Sequence, residues 1–410
     1  MIVNGDVRRL IAEFASWGSV LQLRAASTAW RDAVTELVTY GCGSRPDPEG
    51  SGTLDPRYWA ARASPAPSIV GAANNNFLLK LALACYDASL VSRLNLLWTD
   101  ELVPAIIAYR YGASVTEIDV EWSRGLDAGT VSTYFTAAQL PQLTTLHLRN
   151  ASDVDDAALG KFGGLGSQLV DFAIGAAGFT GSGFAEWPAE MPQLRRLGLR
   201  ACHALSDDGL ATALARTPEL TSLTISECRA LTPKGVPNAL SHVATSLVHL
   251  IANGCDAMLT GAADIAGLPP KLRTLDVSRC RWLDSDAIRA VARLEHVSDL
   301  RIVWLPRMRD DDLQHVCTAL AVTLRRLDIS NFAPGVSFWP ALACMQNLRD
   351  LALANCPTVG ATEVIAIVTT HCPGLRRIDV AGAKRIDLAA MRLIFAAVAE
   401  ARGEERHSCR

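Results

Sequence analysis

The sequence predicts an α/β solenoid, a stack of short strand–turn–helix units, and three observations predict it. One apolar register returns along most of the chain every 24 to 28 residues. Each copy is followed by a second apolar pattern of helical period that opens on Ser or Asp. Half of the 410 residues are apolar but only 6% are aromatic, and the apolar set is mostly Leu, Ala and Val spread evenly, as thin stacked layers require. The chain is longer than a single globular core usually grows, which also favours an elongated array.

The register reads L-x-x-L-x-L-x-x-C. Its clearest copies are Leu194/Leu197/Leu199/Cys202, Leu220/Leu223/Ile225/Cys228, Leu272/Leu275/Val277/Cys280 and Leu348/Leu351/Leu353/Cys356, with Leu247/Leu250/Ala252/Cys255 weakened by one Ala. Further copies start at Val91, Val115, Leu143, Leu169, Val297, Leu324 and Leu375, making twelve. Alternation at the fourth and sixth positions makes a short strand with its apolar side chains on one face. After it, Leu205-Ser-Asp-Asp-Gly-Leu210 continues to Leu214 as a helix, with Ser206 as N-cap and Asp207 and Asp208 at its positive end. Leu283 to Ile288 and Met308 to Leu313 repeat the device. No unit buries its own apolar face, so the stack closes a continuous core between a parallel sheet inside and helices outside, a curved horseshoe. Cys202, Cys228, Cys255 and Cys280 then form a buried ladder of small apolar thiols. His203 and His249 beside it have no zinc-ligand spacing.

This cysteine-ended register with its trailing Leu-Ser-Asp-x-Gly-Leu resembles the repeats of F-box leucine-rich-repeat proteins, over about three quarters of the chain. The resemblance implies a leucine-rich-repeat solenoid over residues 91–400, followed by a polar tail at 401–410.

Ahead of the repeats, residues 1–40 read as a small helical domain. Asp6 to Ala15, Ser19 to Ala25 and Ser27 to Leu37 are amphipathic and bury one another through Leu10, Ile11, Phe14, Leu21, Leu23, Trp30 and Val34. Leu21-Gln-Leu-Arg24, Ser27 and Trp30-Arg31 resemble an F-box. That similarity implies that Leu10, Ile11, Phe14, Leu21, Leu23 and Trp30 bind the adaptor protein of a cullin-RING ubiquitin ligase. The sequence departs from the motif in lacking its opening Leu-Pro, with Asn4-Gly-Asp6 near that place, and in carrying Ala15 and Ala26 where larger aliphatics are usual. Residues 41–68, rich in Gly, Pro and Ser, read as a linker, and residues 69–90 as a capping segment with a helix at Phe77 to Tyr86.

A formal net charge of −3 gives the molecule no basic excess for nucleic acid or anionic membrane. Lysine occurs five times, so Arg carries nearly all the positive charge, which suits planar hydrogen-bonded contacts and equally reflects GC-rich coding. There is no secretory h-region and no long apolar run. Eleven cysteines without a CxxC pair read as thiols of a reducing compartment, cytoplasmic or nuclear.

No nucleotide, hydrolase or zincin motif is present, and the reading is of a protein without catalytic residues, cofactor or metal. Gly175 to Gly183 imitates a phosphate loop but lacks a following Lys. The acidic runs Asp153 to Asp156 and Asp310 to Asp312 sit at helix starts, where carboxylates are favourable for dipole reasons alone.

The third, fifth and seventh register positions are expected to line the concave sheet face, acidic at Glu117, Asp119 and Glu121 and more basic at Arg196, Arg200, Arg301 and Arg326. Tryptophans fall outside the core positions: Trp98, Trp122 and Trp304 at the eighth, Trp282 two places past Cys280. Trp98 and Trp122 fit packing over a neighbouring turn as well as they fit a contact. Trp282 and Trp304, with Arg279, Arg281, Arg301, Arg307, Met308 and Arg326 around them, are expected to contact a target or neighbouring protein on the concave face and rim. Two functions follow: the substrate-recognition subunit of a cullin-RING ligase, or a non-catalytic scaffolding subunit of a large assembly in which the helical domain is only a cap.

Overall fold

A computed structural model describes residues 68–72, 93–99, 107–123, 125–256, 258–335 and 338–402. The helical domain at 1–40, most of the linker and the helix expected at Phe77 to Tyr86 lie outside the described residues. The chain divides into two compact units, Met1–Leu194 and Arg195–Arg410.

In the first unit, β1 (Ser68–Ala72), β2 (Arg93–Thr99), β3 (Glu117–Ser123), β4 (Thr145–Arg149) and β5 (Asp171–Gly175) pair in chain order, all parallel. In the second, β6 (Arg196–Arg200), β7 (Ser222–Thr224), β8 (His249–Ile251), β9 (Thr274–Asp276), β10 (Asp299–Arg301), β11 (Arg326–Asp328), β12 (Asp350–Ala352) and β13 (Arg377–Asp379) do the same. From β2 onward each strand begins at the third position of one register copy. Leu197, Leu223, Leu250, Leu275, Leu300, Leu327 and Leu351, all fourth-position residues, are buried in a row. Helices return the chain between strands: α1 (Ala128–Tyr134), α2 (Asp156–Lys161), α3 (Asp207–Ala215), α4 (Gly235–Ser241), α5 (Ala262–Ala266), α6 (Ser285–Ala290), α7 (Asp310–Ala319) and α8 (Ala361–Ala366), with α9 (Leu388–Arg402) after β13. The fold is an α/β leucine-rich-repeat solenoid.

Ser206 caps α3 as expected, accepting the Gly209 N–H at 3.0 Å. Of the two related starts, α6 repeats the device, with Asp284 in the place of Ser206 accepting the Ala287 N–H at 2.8 Å, and α7 varies it. At α7 the first residue outside the helix is Arg309, which has no capping side chain; its own N–H donates instead to Asp312 at 3.2 Å.

The turn out of each strand follows one rule. The eighth register residue adopts a left-handed backbone in ten consecutive copies: Asn150, Ala176, Ala201, Glu227, Gly254, Arg279, Trp304, Asn331, Asn355 and Gly382. In the second unit its N–H still joins the ladder, as in Glu227 to the Asn253 carbonyl and Arg279 to the Val303 carbonyl, both at 2.8 Å. Trp98 and Trp122, one turn of the register earlier in the chain, lie inside the longer β2 and β3 instead.

The ninth position explains the cysteines. Cys228 donates to the Leu199 carbonyl at 3.4 Å, Cys255 to Ile225, Cys280 to Ala252 at 3.3 Å and Cys356 to Ile329 at 3.6 Å. Every acceptor is the sixth-position carbonyl of the preceding repeat. A thiol is small and apolar enough for the core yet can donate to a carbonyl there. Cys202, Cys228, Cys255, Cys280 and Cys356 are all buried and unpaired by disulfides. Burial pushes the Cys255 thiol up to about 11 and Cys280 to about 12, so neither forms a thiolate near neutrality.

Candidate protein-binding surface

The surface is assembled from the turn that leaves β9 and the one that leaves β10, in neighbouring repeats of the second unit. Because the repeats are in register, equivalent positions meet. Arg281, at the tenth position, bonds to the tenth-position Asp256 of the repeat before, through its backbone N–H at 3.0 Å and its guanidinium at 3.0 Å. At the eleventh position, the Arg307 guanidinium lies over the Trp282 ring, 4.8 Å from its centroid, a cation–π contact. Trp282 is 55% exposed and Trp304 48%, the two most exposed tryptophans among the described side chains.

Trp304 has φ = 53° and Arg279 φ = 60°. Five of the other eight copies fill this position with Gly or Asn, which tolerate it, and three with Ala176, Ala201 and Glu227; for a bulky side chain the left-handed backbone costs roughly 1–2 kcal/mol. Trp304 is the one aromatic among the ten residues that hold this position.

Beside them a cleft of about 510 Å³ is lined by Asp284, Ser285, Asp286, Pro306, Arg307, Met308 and Arg309. Met308 is only 6% exposed, so it belongs to the packing beneath the cleft rather than to its open surface. Under the neighbouring helix starts, the buried Asp312 accepts from Ser285 Oγ at 2.7 Å and from Arg289 Nε at 2.6 Å. Burial alone would push the Asp312 carboxyl up, but these donors and the Arg309 N–H outweigh it and hold it below the ordinary aspartate value.

Arg301 and Arg326 lie elsewhere, on the strand face. Arg326 bridges Asp299 at 3.1 Å and Asp350 at 3.0 Å, and Arg301 reaches Asp299 at 3.4 Å. These bonds raise Arg326 further above its already high value, chiefly through Asp350. The strand face is less solvated than its polar sequence suggests: the fifth-position Asp119 and Asp276 are buried. Asp276, Asp328 and Asp379 accept the seventh-position N–H of Ser278, Ser330 and Ala381 at 2.9 to 3.0 Å. Ser278 and Ser330 in turn accept Val303 and Ala354 N–H from the next repeat, both at 3.1 Å. These aspartates close the ladder end.

In the first unit the strand face carries Arg93–Glu117 (3.1 Å), Arg149–Asp119 (2.9 Å) and His147–Asp171 (3.0 Å) pairs. The loop imitating a phosphate cradle is already filled. Asp156 accepts the N–H groups of Thr180, Gly181 and Gly183 at 2.9, 2.9 and 3.0 Å, and the Thr180 hydroxyl at 2.8 Å. Gly183 lets that backbone close in, since a Cβ there would meet the Asp156 carbonyl at 2.2 Å. Among the described residues no group of three or more His, Cys, Asp or Glu is placed to hold a metal ion, and no helix is long and apolar enough to cross a membrane. The residues expected to meet an adaptor, Leu10, Ile11, Phe14, Leu21, Leu23 and Trp30, lie outside the described residues, as do the side chains of Trp98 and Trp122.

Fold and surface together define a leucine-rich-repeat protein with an aromatic and arginine-bearing rim. No protein-family model matches the chain, and no curated protein matches it in sequence. Among solved structures it is similar to one from yeast, the complex of Rad7 and Elc1, at 14% identity, covering 95% of this chain and 96% of that one with a TM-score of 0.51. The leucine-rich repeat-containing protein LegL7 of Legionella pneumophila also matches, at 16% identity over 71% of this chain and 92% of that one, TM-score 0.46. So does an internalin of Listeria monocytogenes, at 14% identity over 90% and 93%, TM-score 0.40. At these identities the likeness is one of fold.

Proposed function

We propose that this chain is a non-catalytic binding subunit that holds a partner protein against the rim formed by Trp282, Trp304, Arg279, Arg281 and Arg307, while residues 1–40 attach it to the adaptor of a cullin-RING ubiquitin ligase. The observation that carries the first half is Trp304, a half-exposed ring on a left-handed backbone. A large aromatic that gains little from folding gains most from burial by a partner. Arg281 and Arg307 are pre-positioned by Asp256 and Trp282, so less side-chain freedom is lost on binding.

The second half rests on Leu21-Gln-Leu-Arg24, Ser27 and Trp30-Arg31, which resemble an F-box. The structure of like fold from yeast is a complex of two proteins, Rad7 and Elc1, which is consistent with a chain that works beside a second subunit. The absence of the opening Leu-Pro favours a second reading, a scaffold in which the N-terminal helices only cap the stack.

Two measurements test these halves separately. Trp282→Ala/Trp304→Ala is expected to weaken a native partner recovered with the chain by about 2 kcal/mol or more, with little change in melting temperature. Unfolding without loss of binding would show the rings to be structural. Adaptor and cullin are expected to copurify with wild type and to be lost with Leu21→Ala/Trp30→Ala; their absence from wild type leaves the scaffold reading.

A further inference from the structure

The second register position, just before each strand, takes no part in the rim, which lies at the other end of the strands. In the last three repeats it holds Arg325, Arg349 and Arg376. Their backbones form one ladder: Arg349 N–H donates to the Arg325 carbonyl and Arg376 N–H to the Arg349 carbonyl, both at 2.8 Å. The three side chains therefore leave the sheet at intervals of about 5 Å, the spacing of parallel strands. Like charges set side by side in this way destabilise a sheet.

The adjacent third-position row avoids that repulsion. It alternates as Asp299, Arg326, Asp350 and Arg377, and Arg326 is held between its two carboxylates. The second-position row contains no carboxylate, and the loops that lead into it, residues 320–325, 344–349 and 371–376, contain no Asp or Glu. Arg325, Arg376 and the neighbouring Arg377 are exposed. Arg349 is aimed by the backbone of the next repeat: its Nη1 donates to the Gly374 carbonyl at 2.9 Å, and a Cβ on Gly374 would come within 2.4 Å of that nitrogen.

We propose that this arginine edge binds a short acidic segment of a partner protein, with carboxylates paired to Arg325, Arg349, Arg376 and Arg377. Guanidinium groups suit bidentate carboxylate recognition, and among the described residues no ion pair neutralises Arg325, Arg349 or Arg376. A peptide fits better than nucleic acid. The aspartates of the third and fifth positions begin one residue further along, and they would repel a continuous polyanion but not a segment that ends at the edge. This surface is independent of the rim and of its occupant.

The test is an anisotropy titration of the full chain at low salt with a labelled octaglutamate peptide, alongside an eight-residue thymidine oligonucleotide. Wild type is expected to bind the peptide saturably and in preference to the oligonucleotide. Arg325→Gln/Arg376→Gln/Arg377→Gln is expected to weaken it by about tenfold or more, with the melting temperature unchanged or raised as repulsion is relieved. Gly374→Ala displaces only the Arg349 head group and is expected to cost about threefold; it decides the matter alone if the triple variant does not fold. Trp282→Ala/Trp304→Ala is expected to bind the peptide as wild type does. No saturable binding by wild type, equal or tighter binding of the oligonucleotide, undiminished affinity in the folded arginine variants, or an equal loss in the tryptophan variant would each overturn the proposal.

Discussion

The first unit fills its interior with rings, the second with thiols. In the first, Phe135, Phe162, Phe172 and Trp187 touch in succession with centroids 5.4 to 5.6 Å apart, and Phe184 joins Trp187 at 4.8 Å. In the second, the ninth register position is a buried cysteine in five of the eight repeats, where the repeats starting at Leu143 and Leu169 in the first have the buried Ala151 and Ala177. The difference follows the backbone. After β5 the chain makes only a 3-10 turn, Ser182–Glu186, around the Gly-rich loop, with Phe184 in it and Trp187 just after it buried; in the second unit the 3-10 turn Trp339–Cys344 likewise brings Phe338 against Trp339, 5.3 Å between centroids. Where the cysteine register holds, one small side chain fills the position, and at Cys228, Cys255, Cys280 and Cys356 it also donates to the preceding repeat's carbonyl. A regular stack is stabilised by repetition, an irregular one by a few large residues.

The largest effect expected from this contrast is in the first unit. Trp187→Ala removes a fully buried ring and its Nε1 bond to the Leu159 carbonyl (2.9 Å), and should cost about 3–5 kcal/mol. Hydrogen exchange should show that loss in the first unit's amides. Equal loss of protection throughout both units would break the comparison.

Next come two carboxylates, the half-buried Asp156 of the first unit and the buried Asp312 of the second. Donors hold both Asp156 and Asp312 below the ordinary aspartate value, outweighing the burial that would raise them. Their stabilisation is therefore present above the unfolded value near pH 4 and disappears as pH falls through the lower folded value. Asp156→Asn and Asp312→Asn should each cost about 1–3 kcal/mol at neutral pH. Melting curves should also show a shallower decline between about pH 5 and pH 2 than in wild type; an unaltered acid limb would remove these groups from the explanation.

Smaller losses are expected from the thiol ladder. Cys280→Ala removes the thiol donor from the Ala252 carbonyl, which keeps only the Cys255 N–H at 3.4 Å, and should cost about 1–2 kcal/mol, less than any ring of the first unit. In the folded chain at pH 8 a thiol-specific reagent should label Cys255 and Cys280 slowly, since burial keeps both protonated. Rapid labelling would mean that the ladder opens easily. Smallest of all, Trp304→Asn should change stability by no more than about 0.5 kcal/mol, because it trades a strained exposed ring for a residue that accepts the left-handed turn.

The strands were the most legible part of the sequence, because their two-residue alternation and fixed return distance leave little freedom in where they begin. The thiol ladder was legible too, once the copies were aligned. Other features needed coordinates. That Asp156 closes on residues 24 to 27 positions later depends on how one repeat meets the next, and helix-dipole reasoning explained its location without finding its partners. Met308 read as an interface residue from its neighbours Arg307 and Arg309, yet the turn points it inward. Asp276, Asp328 and Asp379 read as surface charge, although their position two residues before the turn already contained the local bond they make. The tryptophans were visible as residues foreign to the core positions, but only the backbone reveals that Trp304 is strained.

Asn253 and Gly254 form the dipeptide in which asparagine ages fastest, since the glycine nitrogen can turn back on the side-chain amide and expel ammonia. Here that nitrogen donates to the Ser278 carbonyl at 2.8 Å, held by the same ladder that shapes every strand exit. The bond that sets the turn thus also protects the chain from a slow chemical clock, which starts only when neighbouring repeats part.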